Sequence, residues 1–346
     1  MVDQEERFQI LSLSGGGVRG LYTISILAEL EKTLAEKDQN EHYNIADHFD
    51  LISGTSIGGI LALGLASGIN ARTLASLIDE ERTKIFKKTC IQKIPFLGTL
   101  CKQARTSLYS SKPLKNILKK EFGEKKIRDL NTRVVIPSVN GTTGLPKVYK
   151  TPHHCDFLID KNLSIVDVGM ATSAAPTYFD PQMVNDNLMV DGGLVANSPA
   201  LIAYHEATHF LKKRTETIHL LCIGTMGSQE TLNIDRTKCW GYLSGWGMGR
   251  KLLGLTLSSN EKLHNFIVKQ LLQDRFVELD DHNTPDQSKS ITLDNANDAV
   301  AIMLKGKGKN KAQFAIGQKN VKAFFTHRKA PVTFFEGGEP YEVQHN

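Results

Sequence analysis

The chain has 346 residues, of which 40% are hydrophobic and 23% are charged, a balance typical of a globular protein with a large core. The net charge of +5 is too small to indicate nucleic-acid binding and only mildly favours anionic surfaces. The five cysteines show no Cys-x-x-Cys spacing, so we expect neither a disulfide scaffold nor a zinc site. They are Cys90, Cys101, Cys155, Cys222 and Cys239.

The first seven residues are polar and partly acidic, unlike the basic and then apolar start of a signal peptide. Residues 51–71 carry no charge but contain several glycines, so a buried core helix explains them better than a membrane span does. We therefore expect a cytoplasmic protein without a transmembrane segment.

Strand-like apolar runs alternate with helical patterns along the chain. Strands are predicted at residues 8–14, 50–53, 133–139, 147–149, 156–158, 188–190, 218–223 and 276–279. Helices are predicted at residues 21–35, 57–66, 71–86, 113–121, 164–174, 199–213, 259–272, 295–304 and 313–326. The alternation predicts an α/β fold, a three-layer sandwich whose central, mainly parallel sheet is covered by helices on both faces. We expect a single domain over residues 1–346, with the core motifs in 8–225 and a helical elaboration with a lid or regulatory role in 226–346.

Two segments interrupt the alternation. Residues 306–311, rich in Gly and Lys, predict a basic, mobile loop. Residues 239–257 contain both tryptophans and place apolar side chains beside Lys238, Arg250 and Lys251. This mixture suits a membrane interface and predicts a lid or docking element, with ordinary buried packing as the alternative. Its apolar members are Trp240, Tyr242, Leu243, Trp246, Met248, Leu252 and Leu253.

Two glycine-rich turns, at residues 14–20 and 54–58, each follow a predicted strand and open a predicted helix. The second has the Gly-x-Ser-x-Gly form of a nucleophile elbow, in which Gly54 and Gly58 give the backbone room to expose the serine hydroxyl. The following helix is apolar on every face, which indicates that it is buried. Its N-terminus, beginning with the N–H of Ile57, points at Ser56 and can stabilise negative charge there. Ser56 is the candidate nucleophile.

A serine nucleophile also needs an oxyanion hole. Gly15, Gly16 and Gly17 of the first turn lack side chains, so their N–H groups can converge on one oxygen. Arg19 adds positive charge nearby. The first turn is therefore the candidate oxyanion hole.

The general base is less obvious, because none of the 11 histidines lies in a glycine-rich turn after a strand. The nearest histidine candidates are His153, His154 and His205. Asp191 follows an apolar run and precedes Gly192 and Gly193, which places a carboxylate at a strand end with an open approach. Shielding from water would raise the proton affinity of such a carboxylate and make it a competent base.

The motifs at residues 15–20, 54–58 and 191–193, in this order and spacing, resemble those of the patatin-like phospholipases. Residues 171–179 and 197–199 are also similar to that family, and the resemblance covers about residues 8–225. It implies a Ser–Asp catalytic dyad, with Ser56 as the nucleophile and Asp191 as the base. It also implies hydrolysis of lipid acyl esters without a metal or another cofactor.

Bacterial patatin-like effectors of antiphage signalling are similar to this chain in size and in lacking accessory domains. That resemblance implies activation by a cyclic di- or trinucleotide from a partner synthase, phospholipid substrates at the inner face of the cell membrane, and room for a homo-oligomer. Residues 84–105 and 227–346 match the family least and are candidate regions for a nucleotide pocket or an oligomer interface. The alternative within the fold is a constitutive lipid acyl hydrolase of housekeeping or storage type.

A nucleotide-binding protein is the alternative from another class, because residues 15–20 also fit Gly-x-Gly-x-x-Gly. A dinucleotide site needs an acidic residue after a second strand about 20 residues further on, where residues 32–39 read as helix or polar loop. The chain has no P-loop motif either. A non-catalytic binding or storage role, with Ser56 as a helix cap, also stays open.

Overall fold

The computed structural model describes residues 7–87, 107–227, 241, 246 and 249–343, without the side chains of residues 285 and 286. Its strands are β1 (Phe8–Leu13), β2 (Leu51–Gly54), β3 (Arg133–Asn140), β4 (Leu145–Lys150), β5 (Gln182–Val184), β6 (Asn187–Asp191), β7 (Ile218–Ile223), β8 (Phe276–Leu279), β9 (Thr333–Glu336) and β10 (Glu339–Glu342). Its α-helices are α1 (Gly20–Asp38), α2 (Ile57–Ala66), α3 (Ala71–Ile85), α4 (Lys112–Phe122), α5 (Ile165–Thr172), α6 (Gly193–Ala196), α7 (Ala200–His205), α8 (Arg250–Leu272), α9 (Pro285–Ser290), α10 (Asp298–Ala315) and α11 (Lys319–Lys322). Within these described ranges, no helix is both long enough and apolar enough to cross a bilayer.

One sheet contains the strands in the order β5-β6-β3-β2-β1-β7-β8, with β4 also paired to β3. Five neighbouring strands run parallel to one another, namely β3, β2, β1, β7 and β8. At one side of the sheet, β4, β5 and β6 add antiparallel pairs. The predicted mainly parallel sheet is therefore confirmed. β9 and β10 form a separate hairpin.

Helices cover both faces of the sheet. Leu11 and Leu13 of β1 belong to a core that includes residues of α1, α2, α3 and α10. Phe8 and Ile10, the alternate side chains of the same strand, pack into a second core with α7 and α8. Because a parallel strand between two helical layers buries both of its faces, every residue of β1 is buried. The predicted three-layer sandwich is confirmed.

The two glycine-rich turns begin side by side at one edge of the sheet. Leu13, the last residue of β1, pairs with Gly54, the last residue of β2, in parallel register. Asp191 ends β6 and pairs with Ser138 of β3, the strand next to β2. The carboxyl ends of parallel strands are where α/β proteins place their sites, and the strand order brings the candidate residues to that edge.

The predicted basic loop at residues 306–311 is wrong, because these residues lie inside α10, which packs against α1. Asn297 caps this helix by accepting the N–H of Val300 at 2.8 Å. Gly308 allows the two helices to approach closely: a Cβ at this position would lie 2.7 Å from the carbonyl oxygen of Tyr22. Packing between the helices thus overrides the low helix propensity of the two glycines.

Other differences from the predicted elements are smaller. Residues 156–158 form a turn rather than a strand. The predicted helix at 199–213 is divided into α7 and a π-helical turn, Glu206–Phe210. The predicted helices at 295–304 and 313–326 become one long α10 and the short α11. β5, β9 and β10 were not predicted.

The helical assignment of residues 306–311 predicts opposite effects of two alanine substitutions. Gly306→Ala should stabilise the protein by up to about 1 kcal/mol, since a Cβ at Gly306 meets nothing within 4 Å. Gly308→Ala should destabilise it, because the added Cβ would press on the backbone of α1. Urea unfolding of the two variants measures both effects, and equal effects of the two substitutions would contradict the packing of α10 on α1.

Candidate active site

Ser56 lies in the sharp turn between β2 and α2, as the elbow motif predicts. Its backbone has φ 55° and ψ −125°, a conformation that residues with side chains rarely adopt. The turn is so tight that a Cβ on Gly54 would lie 2.0 Å from the carbonyl oxygen of Gly58. The N–H of Ser56 donates to Thr172 Oγ1 at 3.1 Å, which fixes the turn against the end of α5.

The Ser56 hydroxyl donates a hydrogen bond to Asp191 Oδ2 at 2.7 Å. The other carboxylate oxygen, Oδ1, accepts the N–H of Gly193 at 2.7 Å. The N–H of Asp191 itself donates to the carbonyl of Ala174 at 3.0 Å. Two residues that are 135 positions apart in the sequence therefore form a direct serine–carboxylate pair whose geometry is fixed from both sides.

Burial changes the acid–base chemistry of Asp191. The residue is 4% exposed, and desolvation raises its pKa from the ordinary 3.8 to about 6. The hydrogen bonds from Gly193 and Ser56 oppose this rise because they stabilise the charged form. With a pKa of about 6, Asp191 is ionised at neutral pH and more basic than an exposed aspartate, as a general base requires.

This raised pKa predicts an acidic limb in the pH profile. Asp191 must be ionised to accept the serine proton, so kcat/KM should rise with pH up to about 6 and then level off. Below that pH it should fall about tenfold per unit. A soluble, uncharged ester is the suitable substrate, because its own charge does not change with pH. A profile that stays flat down to pH 4 would contradict the role of this carboxylate.

The glycine loop is anchored through its carbonyl groups. Thr225 Oγ1 and Asn197 Nδ2 donate to the carbonyl of Gly15 at 3.1 and 3.3 Å. Within the described part of the chain, no acceptor binds the N–H groups of Gly16 and Gly17, and both residues line the pocket that contains Ser56. The N–H of Ile57, at the first turn of α2, also lacks a described acceptor. These three N–H groups can bind an oxyanion.

Two other predicted members of the oxyanion hole have different partners. The N–H of Gly15 is occupied, because it donates to the carbonyl of Asn197 at 2.9 Å. Arg19 Nε donates to the carbonyl of Gly16 at 3.3 Å, and its side chain lines a neighbouring pocket rather than the one that contains Ser56. Gly15 and Arg19 therefore have partners within the loop region, and their role in the oxyanion hole stays a prediction.

Ser56 and Asp191 open into a pocket of about 830 Å³ with a mostly apolar wall. The wall includes Ile60, Ile78, Ile85, Phe86, Leu114, Phe179, Leu253 and Leu257. Such a surface keeps water from Asp191 and complements a hydrocarbon chain.

The predicted lid is described only in part. Leu253 lines the apolar pocket, whereas Leu252 is exposed. Arg250 and Lys251 line the neighbouring pocket. Lys238, Trp240, Tyr242, Leu243 and Met248 lie outside the described residues. The lid therefore stays a prediction.

The three candidate histidines lie elsewhere. His153 is buried and its Nε2 is 3.0 Å from Glu206 Oε1. His154 and His205 pack against the ring of Phe210. None of the three lines the pocket of Ser56, so the described structure gives Ser56 a carboxylate partner rather than an imidazole.

Residues of α8 that no motif indicated connect the turn after Asp191 to the glycine loop. Asn260 donates from Nδ2 to the carbonyl of Gly193 at 2.8 Å and accepts the N–H of Asn197 at 2.9 Å. Glu261 accepts a hydrogen bond from Asn197 Nδ2 at 2.6 Å. The sequence indicated Asn197 only as part of the 197–199 turn. Asn197 binds the Gly15 carbonyl and two residues of α8, one of which, Asn260, also binds Gly193 after Asp191.

The model of the patatin-like phospholipase family matches residues 11–204. This range contains both glycine-rich turns, the nucleophile elbow and the Asp-Gly-Gly turn. The chain therefore belongs to the patatin-like phospholipase family and is a hydrolase that acts on lipid esters. The alternative of a non-catalytic nucleotide-binding protein is thereby rejected.

Among known proteins, the chain is similar to a "cGAMP-activated phospholipase" of Escherichia coli (strain TW11681), with 41% identity over 342 residues, 94% of this chain and 94% of that protein. A protein of the same name from Vibrio cholerae serotype O1 is 38% identical over 96% of this chain and 95% of its own length. A third, from Pseudomonas aeruginosa, is 38% identical over 95% of both chains. These similarities extend well beyond the residues that the family model matches.

Proposed function

We propose that Ser56 is the nucleophile and Asp191 the general base of a phospholipase that cleaves phospholipid acyl esters. The observation that carries this proposal is the 2.7 Å hydrogen bond between Ser56 and a buried Asp191 at the floor of an apolar pocket. An acyl chain would lie along the apolar wall and bring its ester carbonyl to the serine.

In the proposed reaction, Asp191 Oδ2 takes the hydroxyl proton as Ser56 Oγ attacks the ester carbonyl. The N–H groups of Gly16, Gly17 and Ile57 stabilise the resulting oxyanion, and the N-terminus of α2 adds its dipole. Collapse of this intermediate releases the lysophospholipid, whose oxygen receives the proton from Asp191. Water then attacks the acyl-enzyme with Asp191 as the base again, which releases the fatty acid and restores Ser56.

We further propose that a cyclic dinucleotide activates the enzyme at the membrane surface. The similarity to three proteins named cGAMP-activated phospholipases supports this, because each alignment covers nearly the whole chain, including most of residues 226–346. β8 and α10, which come from that region, pack into the same sheet and helical layer as the catalytic motifs, which supports one domain over residues 1–346.

Fatty-acid release from phosphatidylethanolamine–phosphatidylglycerol vesicles tests both proposals. We expect cGAMP to raise the rate of the wild type by at least tenfold, and a cyclic trinucleotide serves as the matched alternative activator. Equal rates with and without every nucleotide would favour the constitutive hydrolase instead. No release under any condition, together with no hydrolysis of a soluble ester, would contradict the enzymatic proposal itself.

A further inference from the structure

A second pocket, of about 770 Å³, lies beside the active-site pocket. The two pockets share Tyr178, Asn197, Leu257 and Leu293 as wall residues. The distinctive feature of the second pocket is its three basic side chains, Arg19, Arg250 and Lys251, and we refer to it as the cation pocket.

The basic groups of the cation pocket form no ion pair within the described residues, although the charge of Arg19 interacts with those of Glu261 and Asp280. Arg19 is 8% exposed, and the only described hydrogen bond of its side chain runs from Nε to the carbonyl of Gly16. Its Nη1 faces Gly227, where a Cβ would lie 3.7 Å away. Arg250 Nε is buried and has no hydrogen-bond acceptor in the described structure. Lys251 is half-buried and forms no ion pair with a described carboxylate. Partly or fully buried basic groups that lack an ion-pair partner favour the binding of an anion.

The two carboxylates of the pocket wall are engaged elsewhere. Asp294 accepts hydrogen bonds from the hydroxyl groups of Tyr109 at 2.8 Å and Thr292 at 2.9 Å. Glu261 accepts one from Asn197, and burial raises the pKa of Glu261. With three basic and two acidic side chains in its wall, the cation pocket has a positive formal charge.

We propose that the cation pocket binds a phosphodiester anion, that of the cyclic dinucleotide invoked above, so that this inference rests on the proposed activation. Arginine forks match phosphate oxygens in geometry, and Lys251 adds a flexible positive charge. The Arg250 guanidinium lies 6.0 Å from the ring centre of Tyr178, a buried residue of the same wall. A phospholipid headgroup carries the same phosphodiester chemistry and is the other source to be tested.

The cation pocket is connected to the oxyanion hole through two residues. Arg19 Nε donates to the carbonyl of Gly16, which belongs to the same peptide group as the N–H of Gly17. An anion that binds the Arg19 guanidinium therefore acts on this peptide group. Asn197 lines both pockets and holds the carbonyl of Gly15. Binding of the anion thus biases the conformation of the glycine loop, which gives the activator a physical route to the catalytic step.

Calorimetric titration of the full-length Ser56→Ala protein with cGAMP tests the site without turnover. The double variant Arg250→Ala/Lys251→Ala, made in that background, should bind about 100-fold more weakly, since two charge-assisted contacts are lost. The matched control is Lys269→Ala, which removes an exposed lysine from the same helix and should bind like the parent. Thermal unfolding of each variant checks that the fold is kept.

The outcomes distinguish a cyclic dinucleotide from a phospholipid headgroup as the source of the phosphodiester. Parent-like binding by the folded double variant overturns the assignment and places the activator site elsewhere, although activation itself would stand. If the parent binds no cGAMP, and the double substitution in the active enzyme slows hydrolysis of charged phospholipids much more than that of an uncharged ester, the phosphodiester is the substrate headgroup and the nucleotide assignment is wrong. If cGAMP does not bind and the two substrates respond alike, the cation pocket is not a phosphodiester site. If the wild type binds cGAMP but hydrolyses no substrate, only the proposed catalysis is contradicted.

Discussion

The Ser56→Ala variant loses hydrolysis, with kcat/KM lower than that of the wild type by about 10⁴-fold or more. The substitution removes the only oxygen that lies 2.7 Å from the Asp191 carboxylate, and no second hydroxyl donates to that carboxylate in the described structure. Alanine has the same backbone requirements as serine at φ 55°, so the elbow and the unfolding temperature should be kept. Hydrolysis is measured in two assays, one on vesicles in the presence of cGAMP and one on a soluble ester without the nucleotide.

Ser76→Ala is the matched control for this substitution. Ser76 lies on the exposed side of α3 and donates its hydroxyl only to the carbonyl of Arg72 in its own helix. Its removal should leave both rates within about twofold of the wild type, as surface substitutions generally do. If Ser56→Ala kept more than a tenth of the wild-type rate on both substrates, another residue would be the nucleophile.

The elbow was predictable because its signal is local. Gly54, Ser56 and Gly58 lie within five residues, and the steric demands of one turn select them. The pairing of Ser56 with Asp191 was predicted through the family resemblance rather than from strand direction, since Ser56 follows the parallel strand β2, whereas Asp191 ends β6, which is antiparallel to β3. Local chemistry and the family resemblance therefore account for the part of the site that the sequence predicted.

The remaining features depend on long-range contacts that leave no local pattern. Arg19 follows the glycine loop in sequence, but its direction is set by the position of the Gly16 carbonyl and by acidic groups that arrive from distant elements, such as Glu261. Asn260 reaches Gly193 across 67 positions. The helical state of residues 306–311 is likewise decided by α1, since the glycine-rich sequence alone favours a loop.

The Asp191→Asn variant loses about 10⁴-fold in kcat/KM and becomes more stable at pH 8. An amide oxygen can still accept the N–H of Gly193, so the turn is preserved, but the amide cannot take the serine proton. The gain in stability follows from the cost of burying the charge. A pKa raised from 3.8 to about 6 corresponds to up to about 3 kcal/mol of destabilisation above pH 6.

The sign of this effect depends on pH in a defined way. Below about pH 4 the carboxyl is protonated in the folded and unfolded chains, so Asp191 imposes no charge-burial cost there. As pH rises through 4 to 6, the unfolded chain ionises first, and the wild type loses stability relative to the variant until both states are ionised. Urea unfolding at pH 5 and pH 8 measures this difference, with the exposed Asp274→Asn as the control that should show none. The stability difference between Asp191→Asn and the wild type should therefore be larger at pH 8 than at pH 5. If it were not, burial of the ionised carboxylate would not destabilise the folded state. Desolvation would then not be the source of the basicity of Asp191, and the hydrogen bond from Ser56 cannot replace it, because that bond stabilises the ionised form and lowers the pKa.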